Sequence, residues 1–153
     1  RSRRPDVIMG HSLGALGIAL RHAGGPPDWA QQLQSVALIS MPSGAAFLVD
    51  VFVHSLGIRQ AARERMIRLF EKRFSARVED FSALPGAARI RARLLVVHDR
   101  GDDIIPWSHS EAVLRAVPRA TLLTTQEQGH SLLTRDATTI RAVVDFLEAN
   151  AAD

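Results

Sequence analysis

The sequence predicts an α/β domain in which a parallel sheet lies between layers of helix. Three observations carry that prediction. Apolar runs at residues 6–10, 35–40, 93–98 and 120–125 have the length and composition of strands. Segments of helical length separate them, as parallel strands joined by right-handed crossovers require. The first run leads into Gly10-His11-Ser12-Leu13-Gly14 and then a helix-like stretch, so a short glycine-bounded turn joins strand to helix.

Each element has its own local reason. Val7-Ile8-Met9 form the centre of the first strand, and the following helix, 13–23, is broken by Gly24-Gly25-Pro26-Pro27. Ser35-Val36-Ala37-Leu38-Ile39-Ser40 make the second strand, ended by Met41-Pro42, with a helix at 44–54. A helix at 58–74 shows an apolar stripe at Ala62, Met66, Leu69, Phe70 and Phe74 with Arg and Glu elsewhere, and Glu64 and Arg68 are a favourable i,i+4 pair. A turn or short helix is expected around 79–84. Leu94-Leu95-Val96-Val97 mark the third strand, followed by a helix at 108–117, the last strand and a closing helix at 137–149. No internal repeat or low-complexity tract interrupts this order.

Composition narrows the function classes. A chain of 153 residues suits one domain with its own core. It has no cysteine, hence no disulfide framework and no thiolate metal site. That fits a reducing compartment, and a cytoplasmic location is the expectation. No apolar run reaches membrane-spanning length, and no signal-peptide pattern stands at the start. The net charge is +3, and all but Lys72 of the 19 basic residues are arginine. Acids are interspersed, tyrosine is absent and the few aromatics form no stacking series, which argues against a nucleic-acid surface. Histidines and carboxylates lack metal-ligand spacing, and no glycine-rich phosphate cradle appears, so neither metal nor cofactor is expected.

The pentapeptide names a nucleophile. A serine hydroxyl is a weak nucleophile and must project from a sharp turn toward a general base. Glycines two positions before and after Ser12 are expected to leave room where a Cβ would collide. The following helix points its N-terminus at the serine, and the Leu13 amide can donate to a developing oxyanion. Further along come His98-Asp99-Arg100-Gly101-Asp102-Asp103-Ile104-Ile105-Pro106 after the third strand, and Gln128-Gly129-His130-Ser131 after the fourth.

With Ser, then Asp, then His in that order, the chain resembles the second half of an α/β-hydrolase from about residue 6 to residue 147. The resemblance implies Ser12 as nucleophile, Asp102 as the acid by its offset from Pro106, and His130 as the base in a Gly-His loop. The Leu13 amide would be half of the oxyanion hole. It implies a serine hydrolase acting on a small-molecule carboxylic ester or related acyl bond, without cofactor. Acyl transfer to another acceptor, perhydrolysis and a catalytically silent lobe are the alternatives. In the fold resembled, the strand at 6–10 is central. Residues 1–153 are therefore expected to be a partial domain that lacks N-terminal strands and pairs with them along that strand. The stretch 41–92 exceeds one crossover and is expected to form a helical cap.

Every assignment has competitors. Asp99 is the fallback acid, and Asp103 is expected to cap its loop. His98 and His109 stand near the same end of the sheet as His130; packing or loop hydrogen bonding is the expected role of His98. His11 is expected to be structural, and His22 and His54 to lie on the surface. Phe47, Phe52, Phe70, Phe74 and Phe81 could line a pocket, but aromatics at helical spacing are expected to be core packing. The basic face of Arg59, Arg63, Arg65, Arg68, Lys72, Arg73 and Arg77 is expected to be a solvated helix face rather than an anion site.

Overall fold

The computed structural model describes residues 5–132 and 135–149. Strands β1 (Val7–His11), β2 (Ser35–Ile39), β3 (Arg93–Asp99) and β4 (Thr121–Thr125) lie side by side in chain order, every pair parallel. The helices are α1 (Leu13–Ala23), α2 (Ala45–Ser55), α3 (Gln60–Phe74), α4 (Leu84–Arg89), α5 (Ser108–Ala116), α6 (Gly129–Leu132) and α7 (Ala137–Glu148). Because every pair is parallel, the C-terminal ends of all four strands share one edge, and each chain exit there can contribute to one site. Among the described residues no helix is long and apolar enough to cross a membrane.

The register builds three layers. Ile8, Val36 and Leu94 stand in one row across the sheet. With Leu38 and Val96 they pack against Ala15, Leu16 and Ala19 of α1, Ala87 of α4 and Val113 of α5. The alternate positions Ala37, Ile39, Leu95 and Val97 turn to the other face and meet Val143 and Leu147 of α7. β2 and the rest of β3 beyond Arg93 are buried on both faces, which is why they read as continuous apolar runs rather than alternating ones. β1 is only partly buried, and its Met9 is 60% exposed.

The structure corrects several expectations. The stretch 41–92 is not one excursion. α2 and α3 contain no fully buried residue, whereas Ala83, Ala87, Ile90 and Ala92 belong to the main core. α4 lies beyond the turn expected at 79–84, hidden behind Leu84-Pro85-Gly86. Proline is tolerated in a first helical turn, and here the glycine allows close packing. A Cβ on Gly86 would overlap the Ala19 carbonyl, so α4 rests directly on the backbone of α1. His22 is not a surface residue: it is 2% exposed, donates from its ring to the Ile18 carbonyl at 2.8 Å and meets the edge of Trp29. His54 is exposed, as expected.

Candidate active site

Ser12 is where β1 stops and α1 begins. Its φ of 53° and ψ of −120° lie where non-glycine residues rarely sit. Its amide donates to Ile39 O at 2.8 Å, extending the β1–β2 ladder to the turn. The turn is so tight that a Cβ on Gly10 would sit 2.6 Å from the Ala15 nitrogen and 2.7 Å from the Gly14 carbonyl carbon. Gly14 itself faces open space, so of the two expected collisions only the one at Gly10 is present. Leu13 is the first residue of α1, and its amide is one of those that a helix leaves without an internal acceptor. Its side chain is exposed.

Asp102 and His130 meet across the ends of β3 and β4. His130 Nδ1 lies 2.9 Å from Asp102 Oδ2. An ionised carboxylate only accepts, so Nδ1 carries the proton and Nε2 of the neutral ring is left as a base. Asp102 Oδ1 accepts from the amides of Ile104 at 3.0 Å and Ile105 at 2.8 Å. Burial by itself would raise the Asp102 pKa. The hydrogen bonds from His130, Ile105 and Ile104 outweigh it and hold the group at about 2. His130 stands in α6, a single helical turn entered through Gly129 at φ 65°, where a loop was expected. The loop is tied back to the serine turn, because His11, the residue before Ser12, donates from Nε2 to the His130 carbonyl at 3.1 Å. The two imidazole rings lie 4.7 Å apart. Among the described residues no hydrogen bond joins the Ser12 hydroxyl to His130.

The competitors have other hydrogen-bond partners, although His98 Nε2 also lies 3.5 Å from Asp102 Oδ2. His98 is fully buried: its Nε2 donates to the Ile105 carbonyl at 2.8 Å, and its Nδ1 accepts from Ser110 Oγ at 2.6 Å. His109 Nδ1 accepts from both the amide of Ser43, at 3.1 Å, and its hydroxyl, at 2.8 Å. Burial first, then the nearness of His98, keeps the His109 ring below its ordinary pKa. Burial and the His130 ring do the same to His11. Asp99 does not touch His130. It accepts from Gly101, Thr125 and Gln128, and these bonds overcome burial to hold its pKa low. Asp103 is exposed, and the loop-capping role expected of it belongs to Asp102.

Sequence reasoning missed the Ser43–His109 tie and the loop bonds of Asp99. It also missed Ser40, whose buried hydroxyl has no partner among the described residues and whose φ is 45° at the end of β2. A serine after a strand carries no local signal of such surroundings.

The aromatic residues of 41–92 are not core. Phe52, Phe70 and Phe81 join Leu13, Leu16 and Leu48 around an apolar cleft of about 440 Å³ between α1 and the α2–α3 pair. Phe74 also borders it, while Phe47 packs on the His109 ring at 4.1 Å. The arginine face of α3 is largely solvated; Arg63 pairs with Asp50 and Arg68 with Glu64. A second cleft, of about 460 Å³, is bordered by His130, Asp103 and Glu127.

Residues 76–152 match a family of α/β-hydrolases described as TAP-like protein. No curated protein matches the sequence. Among solved structures, the chain is similar to the esterase domain of a Rhodothermus marinus protein, at 18% identity and a TM-score of 0.59, covering 96% of this chain and 58% of that one. It is similar to a puromycin-hydrolyzing peptidase of Mycobacterium tuberculosis, at 17% identity and a TM-score of 0.63, covering 95% of this chain and 22% of that one. An alpha/beta hydrolase enzyme from the metagenome of lagoon sediments at Mar Chica, Morocco, gives 12% identity and a TM-score of 0.61, covering 96% of this chain and 62% of that one. At these identities the likeness is one of fold, and the chain spans less than two thirds of each of these three structures.

Proposed function

Because the chain belongs to the TAP-like family of α/β-hydrolases, we propose that it carries the catalytic centre of a serine hydrolase that cleaves a carboxylic ester or related acyl bond. The observation that carries this reading is the Asp102–His130 pair, 2.9 Å apart at the end of the sheet where Ser12 turns out of β1. In it, the Ser12 hydroxyl oxygen attacks the acyl carbon while His130 Nε2 takes its proton. The Leu13 amide donates to the oxyanion that forms. The tetrahedral centre collapses, the acyl–oxygen bond to the leaving alcohol breaks, and His130 returns the proton to that alcohol. Water then attacks the acyl-serine, again losing its proton to His130; the acyl–Oγ bond breaks, His130 returns that proton to Ser12 Oγ, and the acid is released. Asp102 holds the tautomer with Nε2 free and stabilises the imidazolium.

Substrate choice falls to α2 and α3 in this reading. They act as a cap, and the apolar cleft beside Leu13 suits an apolar acyl group on a small-molecule substrate. The outer edge of β1 has no strand partner among the described residues. We read it as the pairing surface for further strands of the fold, which would bring the second oxyanion donor.

The test is fluorophosphonate labelling of this chain beside Ser12→Ala, alone and with the upstream half of the fold added. Labelling that disappears in the mutant identifies Ser12 as an activated nucleophile. Labelling only after complementation means that the triad needs the added strands. No labelling in either state sinks the serine-hydrolase reading.

A further inference from the structure

Outside the proposed triad, Asp99 is buried at the C-terminal edge of the sheet and bridges two loops. It ends β3, is fully buried and has no cationic partner among the described residues. Its oxygens are filled by neutral donors instead. Oδ1 accepts from the Gly101 amide at 2.8 Å, one residue before Asp102. Oδ2 accepts from Thr125 Oγ1 at 2.6 Å, at the end of β4, and from the Gln128 amide at 3.0 Å. One carboxylate therefore holds the loop that carries the acid and the loop that carries the base.

We propose that Asp99 is a positioning residue: it sets the distance between Asp102 and His130 by clamping Gly101 on one side and Thr125 and Gln128 on the other. This rests on the reading of Asp102 and His130 as the working acid and base, although the clamp itself is a statement about geometry. Only a carboxylate meets the demand, because every partner of both oxygens is a donor. An asparagine of the same shape brings an NH₂ group. Turned either way, that group faces a backbone N–H that also donates, and at least one buried donor loses its acceptor. The strand ends are fixed by the ladder, so the loops must give way. His130 stands two residues beyond Gln128 and would move with it.

The experiment is proton NMR of the full-length protein, following the downfield Nδ1–H resonance of His130 that its bond to Asp102 produces. Wild type is compared with Asp99→Asn, with Thr125→Val, which removes one clamp bond while keeping the carboxylate, and with Asp136→Ala. The last removes the cap on α7, where Asp136 accepts from the Thr139 amide at 2.8 Å, and so serves as a destabilised control outside the clamp. The expected result is a resonance that shifts and exchanges faster in Asp99→Asn and Thr125→Val but not in Asp136→Ala. Ester turnover in Asp99→Asn is expected to fall by about 100-fold in kcat with little change in KM, since misplacing a catalytic group by about 1 Å has that effect. An unchanged His130 resonance in folded Asp99→Asn overturns the clamp. If Asp99→Asn does not fold, an unchanged resonance in Thr125→Val does so. A resonance that moves as expected in a protein with no hydrolase activity upholds the clamp and removes the catalytic reading, so the two fail separately.

Discussion

Asp102→Asn tests the electrostatics of the pair most directly, because the side chain keeps its shape and loses only its charge and one acceptor. In the folded protein the Asp102 pKa stands at about 2 rather than an ordinary 3.8. At about 1.36 kcal/mol per pH unit, ionised Asp102 contributes about 2 kcal/mol to folding at neutral pH. The sign follows from the lowered value. The contribution is complete above 3.8, declines as the unfolded chain takes up its proton first, and is gone once pH falls through about 2. Asparagine does not titrate, so the difference in unfolding free energy between wild type and Asp102→Asn isolates this group from the other carboxylates. Denaturant titrations of both proteins between neutral pH and pH 2 read it. Wild type should be more stable by about 2 kcal/mol at pH 7, with the advantage shrinking across the window from 3.8 to about 2. Activity should fall much further. The asparagine carbonyl can stay on the Ile104 and Ile105 amides, leaving its NH₂ toward His130 Nδ1. The imidazole must then accept at Nδ1 and carry its proton on Nε2, the wrong tautomer for a base, at a loss of about 10⁴-fold in kcat. A stability difference that stays constant from pH 7 to pH 2 would falsify the assignment of a strongly lowered pKa to Asp102.

Two further perturbations probe the scaffold that presents the site. Gly10→Ala places a methyl group within 3 Å of the Ala15 nitrogen and the Gly14 carbonyl carbon. Backbone cannot move aside cheaply, so a destabilisation of about 1–3 kcal/mol and a collapse of Ser12 labelling are expected; wild-type melting and labelling would show that the turn has slack. Gly86→Ala drives a Cβ into the Ala19 carbonyl and should part α4 from α1, lowering stability by a similar amount of about 1–3 kcal/mol while Gly14→Ala, facing open space, has a small effect. Equal melting temperatures for Gly86→Ala and wild type would contradict the close packing of the two helices.

The sequence by itself determined the class of fold and the order of its elements, because both are written in local pattern. The continuous apolar runs of β2 and β3 announce strands buried on both faces. The glycine-bounded Ser12 announces a turn too tight for most residues, and the resemblance to α/β-hydrolases, through the offset of Asp102 from Pro106, pointed to the carboxylate that does meet His130. What the tertiary structure decided is every role that depends on residues distant in the chain. Asp99, Asp102 and Asp103 lie within five positions, yet one clamps two loops, one binds the imidazole and caps its own loop, and one faces solvent. No local pattern marks the clamp, because two partners of Asp99 stand 26 and 29 residues away on the next strand and its loop. α4 was hidden for the same reason. Pro85-Gly86 reads as a turn until the backbone of α1 is seen pressed against the glycine. The phenylalanines of α2 and α3 show helical periodicity whether a stripe faces a core or a cleft, and only the packing of those helices over α1 leaves the cleft open. Periodicity records which face of an element is apolar; what that face meets is set by how the chain closes on itself.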